Sequence, residues 1–211
     1  MPTIEQARSW YEKADTVHDF DHVLRVYRVA ERLAEIEGAD IEIVHAAALL
    51  HDSKGTTPGG EERAEHHIAS ADFAGTVLSE EGWDPQRIAA VQLAIRAHRF
   101  RGKEDFPQTI EAKVIFDADK LDVLGAIGVA RVIGYAAMAG EPLYAEPSEQ
   151  FKKTGIKLPG EPHSAYHEYL FKLVKIKSRL FTNAARAMAE ERTRYLDDYF
   201  KRLMQEISGD L

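Results

Sequence analysis

Apolar residues recur at helical spacing along this chain, and glycine, proline and capping residues divide the runs into elements. Residues 19–37 place Val23, Val26, Tyr27, Ala30, Leu33 and Ala34 on one helical face, and Gly38 ends the run. Ahead of it, Thr3 and Gln6 have the spacing of a capping box for a short first helix. Asp40 can cap the next helix, which carries Ile43, Val44, Ala47 and Leu50 and ends near His51–Asp52. Pro58, Gly59 and Gly60 mark a loop. Helices are then predicted over about 62–80, from Asp84-Pro85 to about His98, and over 109–138 despite Gly125, Gly128 and Gly134.

Between 140 and 163 the pattern changes. Four prolines and three glycines fall in this stretch, which predicts a long loop or lid bordering a pocket rather than a linker, because helical patterning resumes beyond it. Ser164 can cap a helix with Tyr166, Leu170, Leu173 and Val174 on one face, and a last helix runs from about Asn183 to Ile207. No alternating strand pattern and no repeat is found. The expectation is an all-α protein with 1–211 as a single domain, the loop at 140–163 and C-terminal helices over 164–207.

Composition narrows the chemistry. Hydrophobic residues make up 45% of 211 residues, enough for a real core. The balance of 27 basic and 35 acidic residues gives a net charge of −8, which argues against nonspecific binding to nucleic-acid polymers or anionic membrane. No cysteine is present, so a metal would have to be held by His, Asp and Glu. The sequence has no signal peptide and no apolar run of spanning length, and a cytoplasmic location is expected.

Three places offer ligand chemistry. In "HDFDHVLRV", His18 and His22 are four residues apart, which on a helix puts their Cβ atoms about 6 Å from each other. His51 and Asp52 adjoin at the end of an apolar run, in "AALLHDSKG". In "DADKLD", Asp117 and Asp119 cannot share a helical face, so at most one of them points into a common site. Each feature alone has a plain explanation as a cap, a surface group or a partner of a helix dipole. Together they lie on apolar helices where unpaired polar groups would be costly to bury.

The ordered set His22, His51-Asp52 and Asp119 resembles the H…HD…D signature of the HD-domain metal-dependent phosphohydrolases. "HDFDHVLRV", "AALLHDSKG", "FDADKLDVLGAIGVARV" and "FKLVKIKSRLFTNAAR" are similar to one branch of small bacterial and archaeal HD hydrolases. This resemblance implies a helical bundle in which His22, His51, Asp52 and Asp119 hold one divalent ion. A mixed nitrogen–oxygen set suits Mn, Fe, Ni, Co or Zn better than Ca, with manganese favoured. It implies further that Asp52 both binds the ion and orients the attacking water. The substrate would be a small phosphorylated molecule, a nucleotide by similarity.

Other residues are candidates around that site. Lys120 and Lys54 can contact phosphate as point charges, against solvated surface lysines as the alternative. His18 can point to the same cavity from one turn before His22. Of His66 and His67, the resemblance suggests a leaving-group acid, a phosphate contact or a ligand of a second metal, with His67 favoured as the acid. His98, among arginines that include Arg99, reads as a phosphate recess or as a helix-dipole partner. His45 reads as a satisfied core histidine. Gly55 departs from the pattern, because related nucleotidases often carry a glutamate acid three residues after the HD aspartate. A nucleotide sensor without catalysis is one alternative. A metallopeptidase is another, since "HDFDH" imitates H-E-x-x-H, but it leaves Asp52 and Asp119 without a role.

Overall fold

The computed structural model describes residues 1–11, 20–54, 65–100 and 105–211, which contain ten α-helices and no strand. They are α1 (Ile4–Arg8), α2 (Phe20–Glu37), α3 (Ile41–Leu50), α4 (His66–Glu80), α5 (Pro85–Ala97), α6 (Ile110–Leu121), α7 (Gly125–Met138), α8 (Glu149–Thr154), α9 (Ala165–Phe171) and α10 (Asn183–Ser208). The chain divides into two compact units. The first holds residues 1–119 and 180–185, and the second holds 120–179 and 186–211. No single helix among the described residues is long and apolar enough to cross a membrane.

In the first unit α3 is the central element, because its sequence is apolar on nearly every side, Glu42 and His45 being its polar residues. All its residues from Ile43 to Leu50 are buried except His45, and it contacts α1, α2, α4 and α5. Its start is fixed by Asp40, whose Oδ1 accepts from the N–H groups of Glu42 and Ile43 at 3.0 and 3.2 Å. Arg87 clamps the same carboxylate with two hydrogen bonds of 2.8 and 3.0 Å. Around α3 the buried set includes Val23, Val26, Leu33, Leu78, Ile95, Ile115 and Phe116. Each such side chain contributes roughly 1.5–3 kcal/mol relative to exposure. His45 is satisfied as expected: it stacks on Tyr27 at 4.3 Å, with Nε2 3.0 Å from Glu31.

In the second unit α7 packs on α9, and Val129, Val132, Phe151, Leu196 and Phe200 form its interior. Tyr169 stacks on Phe200 at 4.3 Å and donates its hydroxyl to Asp197 at 2.9 Å.

Several boundaries differ from the sequence reading. The helix expected over 109–138 is two helices, broken at 122–124, where Gly125 takes φ +69°. The stretch 140–163 contains the short helix α8, capped by Ser148. Ser164 does cap α9, but that helix stops at Phe171 and gives way to two 3₁₀ turns, Leu173–Lys175 and Lys177–Arg179. The helix expected from residue 62 is described from His66 onward. The loop at Pro58, Gly59 and Gly60 lies outside the described residues.

Candidate metal centre

A helix end leaves four carbonyls without intrahelical partners. At the end of α3 these carbonyls organise the residues that follow. His51 Nδ1 lies 2.8 Å from the Ala48 carbonyl and donates to it. The Ser53 hydroxyl donates to the Leu50 carbonyl at 2.9 Å. The buried Tyr11 hydroxyl donates to the Leu49 carbonyl at 3.0 Å. Past the turn, the Lys54 N–H donates to Ser70 Oγ on α4 at 3.1 Å. The segment that carries the His-Asp pair is thus tied to the end of α3 and to α4.

This bonding dictates what His51 offers. With its hydrogen on Nδ1, Nε2 carries the lone pair. That nitrogen is buried and has no hydrogen-bond partner among the described residues. Facing it are His22 from the first turn of α2 and Asp119 from α6. The ligand atoms of His22, His51 and Asp119 all lie within 4.8 Å of one another. His22 Nε2 is 3.5 Å from Asp119 Oδ1 and 3.8 Å from Asp52 Oδ2, and His51 Nε2 is 3.7 Å from Asp52 Oδ2. Atoms bound to one ion at about 2.0–2.2 Å sit roughly 3–4 Å from one another, so the spacing fits a shared cation. An orphaned buried nitrogen between carboxylates fits it as well.

The second oxygen of Asp52 faces α4 and α5. Its Oδ1 is 3.1 Å from His66 Nε2 and 3.4 Å from His98 Nε2. Burial alone would raise the Asp52 carboxyl, but His51, His66 and His98 outweigh it and hold the group well below the ordinary range. His98 is buried and pushed down by that burial, against the pull of Asp52. His67 is also pushed down, by burial and then by His66 and Arg99, against Asp105 and Glu65.

The other sequence candidates fall as follows. His66, rather than its neighbour, contacts Asp52. His67 turns toward Asp105, with Nε2 3.9 Å from Oδ2, and its buried Nδ1 has no hydrogen-bond partner among the described residues. Arg99 lies on His66, Nη1 to Nδ1 at 2.8 Å. Lys54 is exposed, with its ammonium 3.9 Å over the Phe73 ring. Lys120 follows Asp119 on α6 and is half-buried. His18 and Gly55 lie outside the described residues. Of the three aspartates in "DADKLD", Asp119 meets His22. Asp117 turns instead to the backbone of Phe181 and Thr182, and Asp122 pairs with Arg131. The parts that sequence reasoning missed are Tyr11, Ser70 and the acceptor role of Asp117. All act across long sequence separations, and no local pattern announces them.

Comparison with known proteins identifies the family. Residues 19–124 match the HD domain family. The Bacillus subtilis (strain 168) protein YpgQ is 31% identical over 209 residues, covering 97% of this chain and 94% of that protein. The crystal structure of YpgQ in complex with ADP superposes with a TM-score of 0.74 at 29% identity, covering 98% of this chain and 99% of that one. An HD-superfamily hydrolase from Bacillus thuringiensis superposes with a TM-score of 0.73 at 30% identity, covering 97% of this chain and 94% of that one. With its helical fold, its buried His-Asp pair and a likeness that runs nearly end to end, this chain belongs to the HD-domain family.

Proposed function

We propose that this protein is a metal-dependent phosphohydrolase of nucleotides, cutting the phosphoanhydrides of nucleoside triphosphates in preference to monophosphate esters. One observation carries the reading: His22, Asp52 and Asp119 converge on His51, whose buried Nε2 has no hydrogen-bond partner among the described residues. A nitrogen left that way costs about 1–3 kcal/mol unless something occupies its lone pair. His22, His51, Asp52 and Asp119 are the ligands in this reading, with manganese first among the divalent ions that suit them. When bound, such an ion supplies Lewis acidity toward a phosphoryl oxygen and lowers the pKa of water.

The chain's own groups do the rest. Asp52 stays ionised, with one oxygen toward His22 and His51 and the other 3.1 Å from His66 Nε2. That leaves a fixed acceptor to orient a nucleophile. His67, whose buried Nδ1 lacks a hydrogen-bond partner among the described residues, and His18 are the proposed proton donors to the leaving group. Lys54 and Lys120, adjoining the ligand segments in sequence, are the proposed phosphate contacts, with His98 a further proposed one. Local cations of this kind let a chain of net charge −8 take an anionic substrate.

The nucleotide part is supported by the ADP complex of YpgQ. The preference for anhydrides follows from Gly55, which stands where related nucleotidases place a glutamate acid. A pyrophosphate leaving group spreads its charge over several oxygens and needs less protonation than an alkoxide. The test is kcat/KM for one nucleoside supplied as its mono-, di- and triphosphate with manganese. The triphosphate should be preferred, and a preference for the monophosphate would overturn that part of the proposal. Tight binding of all three with no product released would replace the enzyme with a nucleotide sensor.

A further inference from the structure

Four phenylalanines from separated parts of the first unit meet in one run of ring contacts. Phe116, fully buried on α6, lies 5.0 Å from Phe181. Phe181 lies 5.3 Å from Phe106 at 90°, and Phe100 lies 5.3 Å from Phe106 at 83°. Phe100 and Phe181 are half-buried, whereas Phe106 is 45% exposed. The run therefore begins in the core and ends in solvent. Edge-to-face contacts with two neighbours fix the plane of Phe106. An isolated exposed apolar side chain needs no explanation, but a ring locked by two others is a preformed aromatic surface.

Three links tie this surface to the candidate metal centre. Phe116 precedes Asp119 by three residues on α6, so the two side chains are neighbours on the helix surface, and Asp119 Oδ1 is 3.5 Å from His22 Nε2. Phe100 follows His98 by two residues, and His98 Nε2 is 3.4 Å from Asp52 Oδ1. Asp105 immediately precedes Phe106, and its Oδ2 is 3.9 Å from Nε2 of His67, whose neighbour His66 lies 3.1 Å from Asp52. Asp105 takes φ +57°, a left-handed conformation that Asp tolerates better than most residues. At this turn one side chain goes to His67, and the next goes to Phe100 and Phe181.

We propose that Phe106, set in place by Phe100 and Phe181, stacks on the base of the nucleotide substrate. The chemistry of the surface selects a flat group with a π face. Phenylalanine has no donor and no acceptor, so it cannot read the edge of a base, but every base offers a face to stack on. Phe106 is then a binding residue for the nucleoside end, adding affinity without reaching the scissile bond and without choosing among bases. One helical turn and two ring contacts separate Asp119 from Phe106, a path that a phosphate chain and its ribose can span. The inference rests on the nucleotide reading given above and names the group that holds the base.

Calorimetric titration of the full chain with ADP and with inorganic pyrophosphate, manganese present in both, separates the base from the phosphates. Phe106→Leu keeps an apolar side chain and loses the ring. It should weaken ADP by roughly tenfold or more, with pyrophosphate changed far less. Phe106→Trp should bind ADP at least as tightly as the wild type. An ADP affinity unchanged in Phe106→Leu, or an equal loss for ADP and pyrophosphate, would overturn the proposal. In the wild type, nuclear Overhauser contacts should join the base protons of ADP to the Phe106 ring protons. That spectrum decides even where Phe106→Leu fails to fold, and contacts to other rings alone would overturn the proposal. ADP binding that depends on Phe106, without release of product from a triphosphate, would uphold this inference and fail the hydrolase reading. A wild type that binds no ADP would overturn both.

Discussion

Asp117 is the buried carboxylate whose removal the structure makes most consequential. It is fully buried on α6, two residues before Asp119. Its oxygens accept from the Phe181 N–H at 2.9 Å, the Thr182 N–H at 2.8 Å and the Thr182 hydroxyl at 2.8 Å. Asp117→Ala leaves these three donors without their acceptor. A buried donor so left costs about 1–3 kcal/mol, and the bond from the half-buried Phe181 is taken at the low end. The destabilisation should be roughly 3–5 kcal/mol, a large share of the roughly 5–15 kcal/mol typical of a folded domain. Asp117→Asn keeps one acceptor oxygen but sets an amide N–H against a backbone N–H, for about 1–3 kcal/mol. The assay is urea unfolding of metal-free protein, so that ion binding does not shift the midpoint. Both tryptophans, Trp10 and Trp83, lie in the first compact unit with Asp117, and their fluorescence reports it. The melting temperature of Asp117→Ala should fall by roughly 6–20 °C. Thr182→Val should cost little once Asp117 is already alanine, because the two residues share one network. An alanine variant within about 1 kcal/mol of wild type would refute the reasoning.

Other substitutions test separate parts of the account. Tyr11→Phe removes the buried hydroxyl that donates to the Leu49 carbonyl and should cost about 1–2 kcal/mol in urea unfolding. Gly128→Ala would drive a Cβ to 2.3 Å from the Val123 carbonyl oxygen and should destabilise by about 1–3 kcal/mol, read as a lower melting temperature. Glu161 accepts from the Ser148 N–H, and also from the Leu158 N–H, the Ser148 hydroxyl and His167, which lowers its carboxyl from 4.5 to about 2. A depressed carboxyl stabilises fully above its unfolded value and loses that contribution as pH falls through the folded one. Between pH 4.5 and about 2 the wild type should therefore lose stability that Glu161→Gln does not lose, and parallel acid titrations would contradict this.

Elements whose signals are local were legible in the sequence. The Thr3–Gln6 capping box, the Asp40 cap and the Ser164 cap all form as their spacing implies. The break at 122–124 was hidden because the apolar run continues on both sides of it and Gly125 reads as one of three glycines within a helix; its positive φ belongs to the folded chain. Within the site, the opposed directions of Asp117 and Asp119 follow from helical geometry alone. The partner that Asp117 finds, 64 residues away at Phe181, does not. Nor does the contact of Arg99 with His66, which joins the end of α5 to the start of α4 across 33 residues. Histidine type and order were readable, whereas the nitrogen each ring presents depends on partners that only packing supplies.

The most direct test of the central claim measures metal content and turnover on the same samples. Wild type, His51→Ala and Asp119→Ala would be dialysed against manganese, analysed for bound metal and assayed for phosphate and pyrophosphate release from a nucleoside triphosphate. The account predicts one ion per chain and metal-dependent release for the wild type, with both lost in each variant. Full occupancy or undiminished release in both variants would contradict it.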